Sequence, residues 1–271
     1  MSLVSVDHVT HYYFSKSKAV QALKDVSFSV EEGEFISILG PSGCGKSTIL
    51  SLLANIIHPT EGKITLNGQP ISTLEDSIGY MLQQDYLFPW KTIIDNVLLG
   101  PKVKKTMKSS SRKEAEKMLE EVGLHEISES FPDALSGGMR QRVALVRTLI
   151  TDPEVLLLDE PFSALDYVTK LTLEDAVSEL LDAYKKTTVL VTHDIGEAIS
   201  MSDRIVIMNA NPGSIRRIYE VPFELRNERP FNVRRHPKYQ RIFDNIWNEL
   251  NTETKDSVPG KTAKSEGEQH G

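Results

Sequence analysis

One stretch, Gly40-Pro41-Ser42-Gly43-Cys44-Gly45-Lys46-Ser47-Thr48, limits what this chain can become more than any other. The apolar run Phe35-Ile36-Ser37-Ile38-Leu39 before it reads as a buried strand. Ile49-Leu50-Ser51-Leu52-Leu53-Ala54 after it reads as a helix with apolar residues on successive turns. Between them lies the G-x-x-x-x-G-K-S spacing of a phosphate-binding loop. Glycines let such a backbone curl into a nest whose N–H groups converge on phosphate oxygens. The following helix adds its positive end and unpaired amides. In this reading Lys46 brings a full positive charge to the terminal phosphates, and Ser47 is a ligand for Mg²⁺. A glycine-rich turn that merely precedes a helix is the plain alternative; the strand and helix on either side count against it. The chain reads as a nucleotide-binding protein.

Bulk properties narrow the class. At 271 residues the chain holds one large domain or two modest ones. No stretch approaches the ~20 apolar residues that span a bilayer, and Met1-Ser2-Leu3-Val4 begins no basic-then-apolar export signal. A single cysteine excludes an internal disulfide. A formal charge of −7 argues against general affinity for nucleic acid. The expected location is the cytosol.

Along the chain, Val4–Val9 and Val26–Val30 alternate apolar and polar residues, as half-buried antiparallel strands do. Tyr12, Tyr13 and Phe14 lie between them, where one ring could stack on a base or simply pack. Ile78–Leu82 reads as a buried strand that delivers Gln83 or Gln84 to the crevice at the sheet's carboxyl end. From Trp90 to about Thr151 the pattern is helical; the lysine- and serine-rich run at 102–113 within it reads as a solvated face. Leu135-Ser136-Gly137-Gly138-Met139-Arg140-Gln141-Arg142 then opens a one-sided apolar helix, with Ser136 as its cap. Val155-Leu156-Leu157-Leu158 is a strand with no polar face, ending in Asp159-Glu160. An aspartate there can hold Mg²⁺ through water, and a glutamate after it can poise a water for attack on the γ-phosphate. Thr188–Thr192 is another buried strand, delivering His193 to the same crevice. After Pro237, Tyr239, Ile242, Phe243, Ile246, Trp247 and Leu250 repeat at helical spacing. That helix is expected over 236–250, docked on a domain covering 1–235. Residues 251–271 are expected to be disordered, for want of large apolar side chains.

The phosphate loop, the 135–142 motif and Val155–Asp166, in that order, resemble the ATPase subunits of ABC transporters. The resemblance covers roughly residues 3–220. It implies an α/β fold: a RecA-like P-loop NTPase core with an antiparallel β subdomain and an α-helical subdomain inserted at about 88–151. It implies Tyr13 against adenine, with Tyr12 less favoured, and Gly40–Thr48 as the Walker A loop, Cys44 and Lys46 included. It implies Gln83 as the Q-loop glutamine, near both nucleotide and Mg²⁺, and Ser136, Gly137, Gly138 and Gln141 in the signature. Asp159 and Glu160 would close Walker B, with Asp159 toward the metal and Glu160 as base. Ser163–Asp166 would be the D-loop and His193 the switch histidine. Two copies would face each other head to tail, the signature of one covering ATP on the other. From its place in the loop, alkylating Cys44 is expected to block nucleotide binding.

The stretch Asp85-Tyr86-Leu87-Phe88-Pro89-Trp90 looks like the Leu-Leu-Pro-Trp of importers for nitrate, sulfonates and taurine. The resemblance implies an ATP-hydrolysing subunit on the cytoplasmic face of the cell membrane. Its partners would be a membrane permease docked near Leu87–Trp90 and a solute-binding protein. Members of that group commonly carry Arg before the Pro212-Gly213 pair; here it is Asn211. The competing reading is a soluble ABC ATPase acting in repair, translation or cluster assembly.

Overall fold

The structure, a computed structural model, describes residues 2–73 and 77–251. Two long strands open the chain: β1 (Ser2–Phe14) and β2 (Ala19–Glu31), paired antiparallel from Ser2 opposite Glu31 to Phe14 opposite Ala19. They contain the strands expected at 4–9 and 26–30 and extend well past them. β3 (Phe35–Leu39) runs into the phosphate loop, and α1 (Lys46–Leu53) leaves it. β4 (Glu61–Leu66) pairs with β1 and turns back as β5 (Gln69–Pro70) through Asn67 and Gly68. Both turn residues have positive φ, 52° and 75°, as the tight two-residue hairpin requires. The result is an antiparallel sheet in the order β2-β1-β4-β5.

β6 (Ile78–Met81) leads into the helical section, α2 (Ile93–Val97), α3 (Leu99–Val103), α4 (Ser111–Glu121) and α5 (Gly137–Leu149). Alternating strands and helices follow: β7 (Val155–Asp159), α6 (Tyr167–Ala183), β8 (Thr187–Thr192), α7 (Ile195–Met201), β9 (Arg204–Asn209) and β10 (Ser214–Glu220). They form a six-stranded sheet in the order β10-β9-β3-β8-β7-β6, parallel except for β10. In β7 and β8 almost every residue is buried, which matches their continuous apolar sequence. β6, expected to be a buried strand through Leu82, is instead the sheet's edge. It stops at Met81, Ile78 and Tyr80 are only half-buried, and Leu82 is exposed. An edge strand pairs on one side alone, a fact that its apolar composition does not reveal.

The first helix of the helical section begins at Ile93. Residues 88–92 are a turn built on Asn96, which is fully buried. Its amide donates to the carbonyls of Phe88, Lys91 and Thr92, and its oxygen accepts from the Phe88 N–H. Such a buried amide is tolerated because its groups are paired.

The chain closes with α8 (Phe223–Arg226), α9 (Pro230–Val233) and α10 (Tyr239–Asn251). Pro237, expected at the first helical position, precedes α10 by two residues, and the helix runs on to Asn251. Its apolar face puts Ile242 and Ile246 into a cluster with Leu39, Ile199, Ile205 and Val233. Each such side chain contributes about 1.5–3 kcal/mol relative to exposure. The disordered tail expected over 251–271 lies, beyond Asn251, outside the described residues.

Candidate functional site

The site is assembled where β3, β7 and β8 end on the same side of the sheet. The phosphate loop follows β3. Gly45, N-cap of α1, has φ 91°, and a Cβ there would stand 2.5 Å from the Leu23 side chain. Only glycine combines that backbone with that approach. Lys46 is buried, its ammonium spanning the loop to the carbonyls of Gly40 (2.7 Å) and Pro41 (3.1 Å). Ser42, Gly43 and Ser47 are exposed along the loop's rim. Gly213 braces it from behind. Its N–H and carbonyl pair with Ala22 and Lys24, and a Cβ would lie 2.1 Å from the Cys44 carbonyl oxygen.

Cys44 departs from its expected place. Its side chain is 0% exposed and belongs to the core beneath the loop, with Lys46 Nζ 3.9 Å from Sγ. The thiol points away from the cleft, so only the backbone of Cys44 can meet a phosphate. Burial of the thiol in the folded chain opposes the expected alkylation.

A cleft of about 400 Å³ opens over the loop, bounded by Ser42–Thr48 excluding buried Cys44, Glu160, Val20–Ala22 and Asn211-Pro212. Tyr13 stands at its edge, with its hydroxyl 3.3 Å from Thr48 Oγ1 and Val20 directly opposite on β2. Tyr12, by contrast, packs its ring against Phe14. Sequence reasoning missed Val20, Gln21 and Pro212 as cleft residues. Nothing local marks them; the hairpin register and the Gly213 contact bring them there.

β7 delivers the acidic pair. Asp159 accepts from the Tyr80 hydroxyl at 3.2 Å, and burial raises its pKa above the ordinary carboxylate value. Glu160 has φ 46°, a left-handed conformation uncommon outside glycine. Its N–H donates to the Val191 carbonyl, and its carboxylate lies 3.2 Å from Nδ1 of His193. His193 itself is 60% exposed, so its far nitrogen faces solvent beside the cleft. The Gln83 amide donates to Ser163 Oγ at 3.3 Å, and Ser163 Oγ donates to the Glu160 carbonyl at 2.9 Å. Gln83 thus reaches the acidic pair through the D-loop serine.

Ser136 accepts from the Met139 N–H and caps α5, with Ser136 and Gly137 exposed. Neither they nor buried Gly138 lines the cleft over Lys46; Gly138 instead sits against Thr169 and Leu165 of the α6 region. Gln141 is turned inward. It is buried, and its amide donates to the Gln83 carbonyl at 3.0 Å. The structure therefore gives Gln141 a partner in its own chain rather than an exposed place for a ligand. Arg140 pairs with Asp85, and Arg147 donates to the carbonyls of Asp85 and Tyr86. α5 thereby holds both the Gln83 loop and the Leu87–Trp90 stretch. In that stretch Leu87 is buried while Trp90 is 71% exposed, its ring 5.2 Å from Phe88. Trp90 does not simply pack into the helical section.

Among the described residues, no group of three or more His, Cys, Asp or Glu is arranged to hold a metal ion by itself. Mg²⁺ needs no such cage when nucleotide phosphates supply most of its ligands. Asp159 and the Ser47 hydroxyl fit that sparser role, standing at the ends of β7 and the phosphate loop.

Residues 23–163 match the family described as ABC transporter. The ABC transporter ATP-binding protein YtlC of Bacillus subtilis is 53% identical over 252 residues, 93% of this chain and 97% of that protein. This chain belongs to the ABC transporter family. The aliphatic sulfonates import ATP-binding protein SsuB of Bacillus cereus is 42% identical over 80% of this chain and 85% of its own. The taurine import ATP-binding protein TauB of Roseobacter denitrificans is 40% identical over 84% and 87%. Among solved structures, the ABC cassette MJ0796, a dimer bound to ADP and Pi, superposes with a TM-score of 0.70 at 34% identity, covering 81% of this chain and 99% of that one. The fold is that of an ABC ATPase, and the chain is an ATP-binding subunit of that family. Among the described residues no helix is long and apolar enough to cross a membrane.

Proposed function

We propose that this chain is the ATP-hydrolysing motor of an importer for a small nutrient of the nitrate, sulfonate or taurine kind. Relatives named for sulfonate and taurine import support that class. The observation that carries the mechanism is a separation: Ser136 and Gly137 are exposed donors on one part of the chain, while Lys46, Glu160 and His193 gather at another. An N-cap serine and the free amides of a helix start attract an anion. A second copy, head to tail, brings its triphosphate to them.

In this reading Tyr13 stacks on adenine, the loop amides of Ser42–Thr48 with Lys46 hold the phosphates, and Gln83 senses the metal and the γ-phosphate. Mg²⁺, held by Ser47 and Asp159, would neutralise charge on the transferring phosphate. Glu160 accepts the proton of the attacking water. His193, fixed at 3.2 Å from that carboxylate, orients it and donates toward the phosphate from its other face. The left-handed φ of Glu160 is what turns its carboxylate off the strand axis and toward His193. When the γ-phosphate leaves, the donors from the second copy lose their anion and the dimer opens. Arg140 and Arg147, through Asp85 and Tyr86, link that event to the Leu87–Trp90 stretch, where a membrane permease docks, with a solute-binding protein beyond it.

The test is Glu160→Gln. Nucleotide affinity is expected to persist, turnover to fall on the order of 10²–10⁴-fold, and Mg-ATP to convert the monomer to a stable dimer in sedimentation. Unchanged turnover would remove Glu160 from the base role. A tagged chain recovered from detergent-solubilised membranes without a hydrophobic partner would sink the transport assignment.

A further inference from the structure

A second cleft, of about 720 Å³, lies beyond the nucleotide cleft, between α10 and the loop after β8. Phe243, Trp247 and Leu250 form one wall, with His193, Ile195 and Pro41 across from them. α10 turns Ile242 and Ile246 into the core, as an amphipathic helix should, yet it carries a second apolar row. Phe243, Trp247 and Leu250, spaced i, i+4, i+7, stand over the cleft. The Phe243 and Trp247 rings stack 6.2 Å apart at 12°, and Trp247 remains 53% exposed.

A second exposed apolar feature lies at the first turn of α6, directly after the D-loop: Tyr167 is 68% and Val168 71% exposed. Lys170, one turn on from Tyr167 in α6, reaches Asp194 in the wall of the cleft at 2.6 Å. The knob and the cleft therefore share one edge of the molecule, the edge that carries His193 and the D-loop.

We propose that the two features cover each other in trans: in the ATP-closed dimer, the Tyr167-Val168 turn of one protomer seats in the Phe243–Trp247–Leu250 cleft of its partner. The inference rests on the head-to-tail reading above. Three observations select a second copy as the occupant. The cleft includes Gly40–Ser42 and His193, so it is continuous with the surface that the partner closes over. Among the described residues no lysine or arginine lines it, and the one carboxylate lining it, Asp194, is held by Lys170 at 2.6 Å, so those residues offer a charged small ligand no free counter-charge. And one edge bearing both knob and hole is self-complementary about a two-fold axis, each contact being made twice. Exposed Trp90, in the Leu87–Trp90 stretch, is a separate feature, assigned above to the permease.

Trp247 reports on this directly, because the chain holds only one other tryptophan, Trp90. In full-length protein carrying Glu160→Gln and Trp90→Phe, Mg-ATP is expected to shift Trp247 emission to the blue and slow its quenching by acrylamide several-fold as the dimer forms in sedimentation. In the Glu160→Gln chain, Trp247→Ala and Tyr167→Ala should each weaken the dimer by about tenfold or more, as buried aromatic anchors do. The double variant should lose little beyond either single one, the mark of a direct pair. Monomer affinity for ATP and the melting temperature should hold in all of them. A dimer whose Trp247 stays as quenchable as in the monomer overturns this inference alone. No dimer at all overturns the head-to-tail reading together with it. Protection of Trp247 only when the permease is present would assign the cleft to that partner and overturn the proposal too.

Discussion

Single residues at the phosphate loop show how closely it is bounded. Cys44 lies inside the nine-residue motif, and from the sequence its thiol belongs with the ligand. The fold puts it in the core, because successive residues of a curled loop point to opposite sides. Iodoacetamide is therefore expected to leave the native chain unmodified, with or without ATP, and to react once the chain is unfolded in urea. Rapid labelling of native protein that ATP slows would contradict the buried placement. Gly213 is the opposite case: its Pro-Gly setting reads as a turn, but its use is contact with the Cys44 and Ala22 carbonyls. Gly213→Ala should cost about 1–3 kcal/mol through overpacking, visible as a lower urea midpoint. ATP affinity should fall as well, since the group displaced is the loop backbone. Full stability with normal binding would show that the neighbouring strand yields freely.

At the scale of elements, the C-terminal helices are tied to the loop that carries His193 by buried charge. Arg234, between α9 and α10, pairs with Glu174 of α6 at 2.5 Å. Lys170 of the same helix bridges Asp194, next to His193, and Glu197 of α7 at 2.6 and 2.5 Å. Burial would raise Asp194, but the Lys170 contact outweighs it and holds its pKa low. Burial pushes Glu174 from 4.5 up to about 7 despite Arg234. Folding thus takes up a proton at Glu174 between those values. Its contribution to stability is full below pH 4.5 and is lost as pH rises through 7. Arg234→Ala removes the counter-charge and raises Glu174 further. The variant should lose on the order of 3–5 kcal/mol at pH 8, and clearly less at pH 6, where Glu174 can be neutral. Urea midpoints at the two pH values measure this; an equal loss at both would mean that Glu174 does not change its charge between them.

For the whole molecule, the proposed mechanism requires that the groups meant for one ATP be distributed over two places on the chain. A Lys46→Ala chain and a Ser136→Glu chain should each be nearly inactive. Mixed together, they form a heterodimer in which the intact phosphate loop of one meets the intact signature of the other. Part of the ATPase activity should return on mixing. If each site were completed within one chain, mixing two inactive proteins would restore nothing.

The sequence alone determined the strand–loop–helix at 35–53, the acidic pair at the end of a buried strand, and the order of motifs that marks the family. These are local: backbone conformation over a few residues follows from glycine placement, apolar period and caps, and no distant contact has to be known. The same logic located the principal runs of six strands (β1, β2, β3, β6, β7 and β8) and the row of aromatics on the last helix. Contacts between residues far apart in the chain were decided only by the tertiary structure. It placed β6 at an edge, turned Gln141 onto Gln83, buried the Cys44 thiol, set Val20 beside Tyr13, and paired Arg234 with Glu174 sixty residues away. Each depends on which surfaces meet once the sheets and helices pack, and periodicity along a chain states which face is apolar but not what that face will touch.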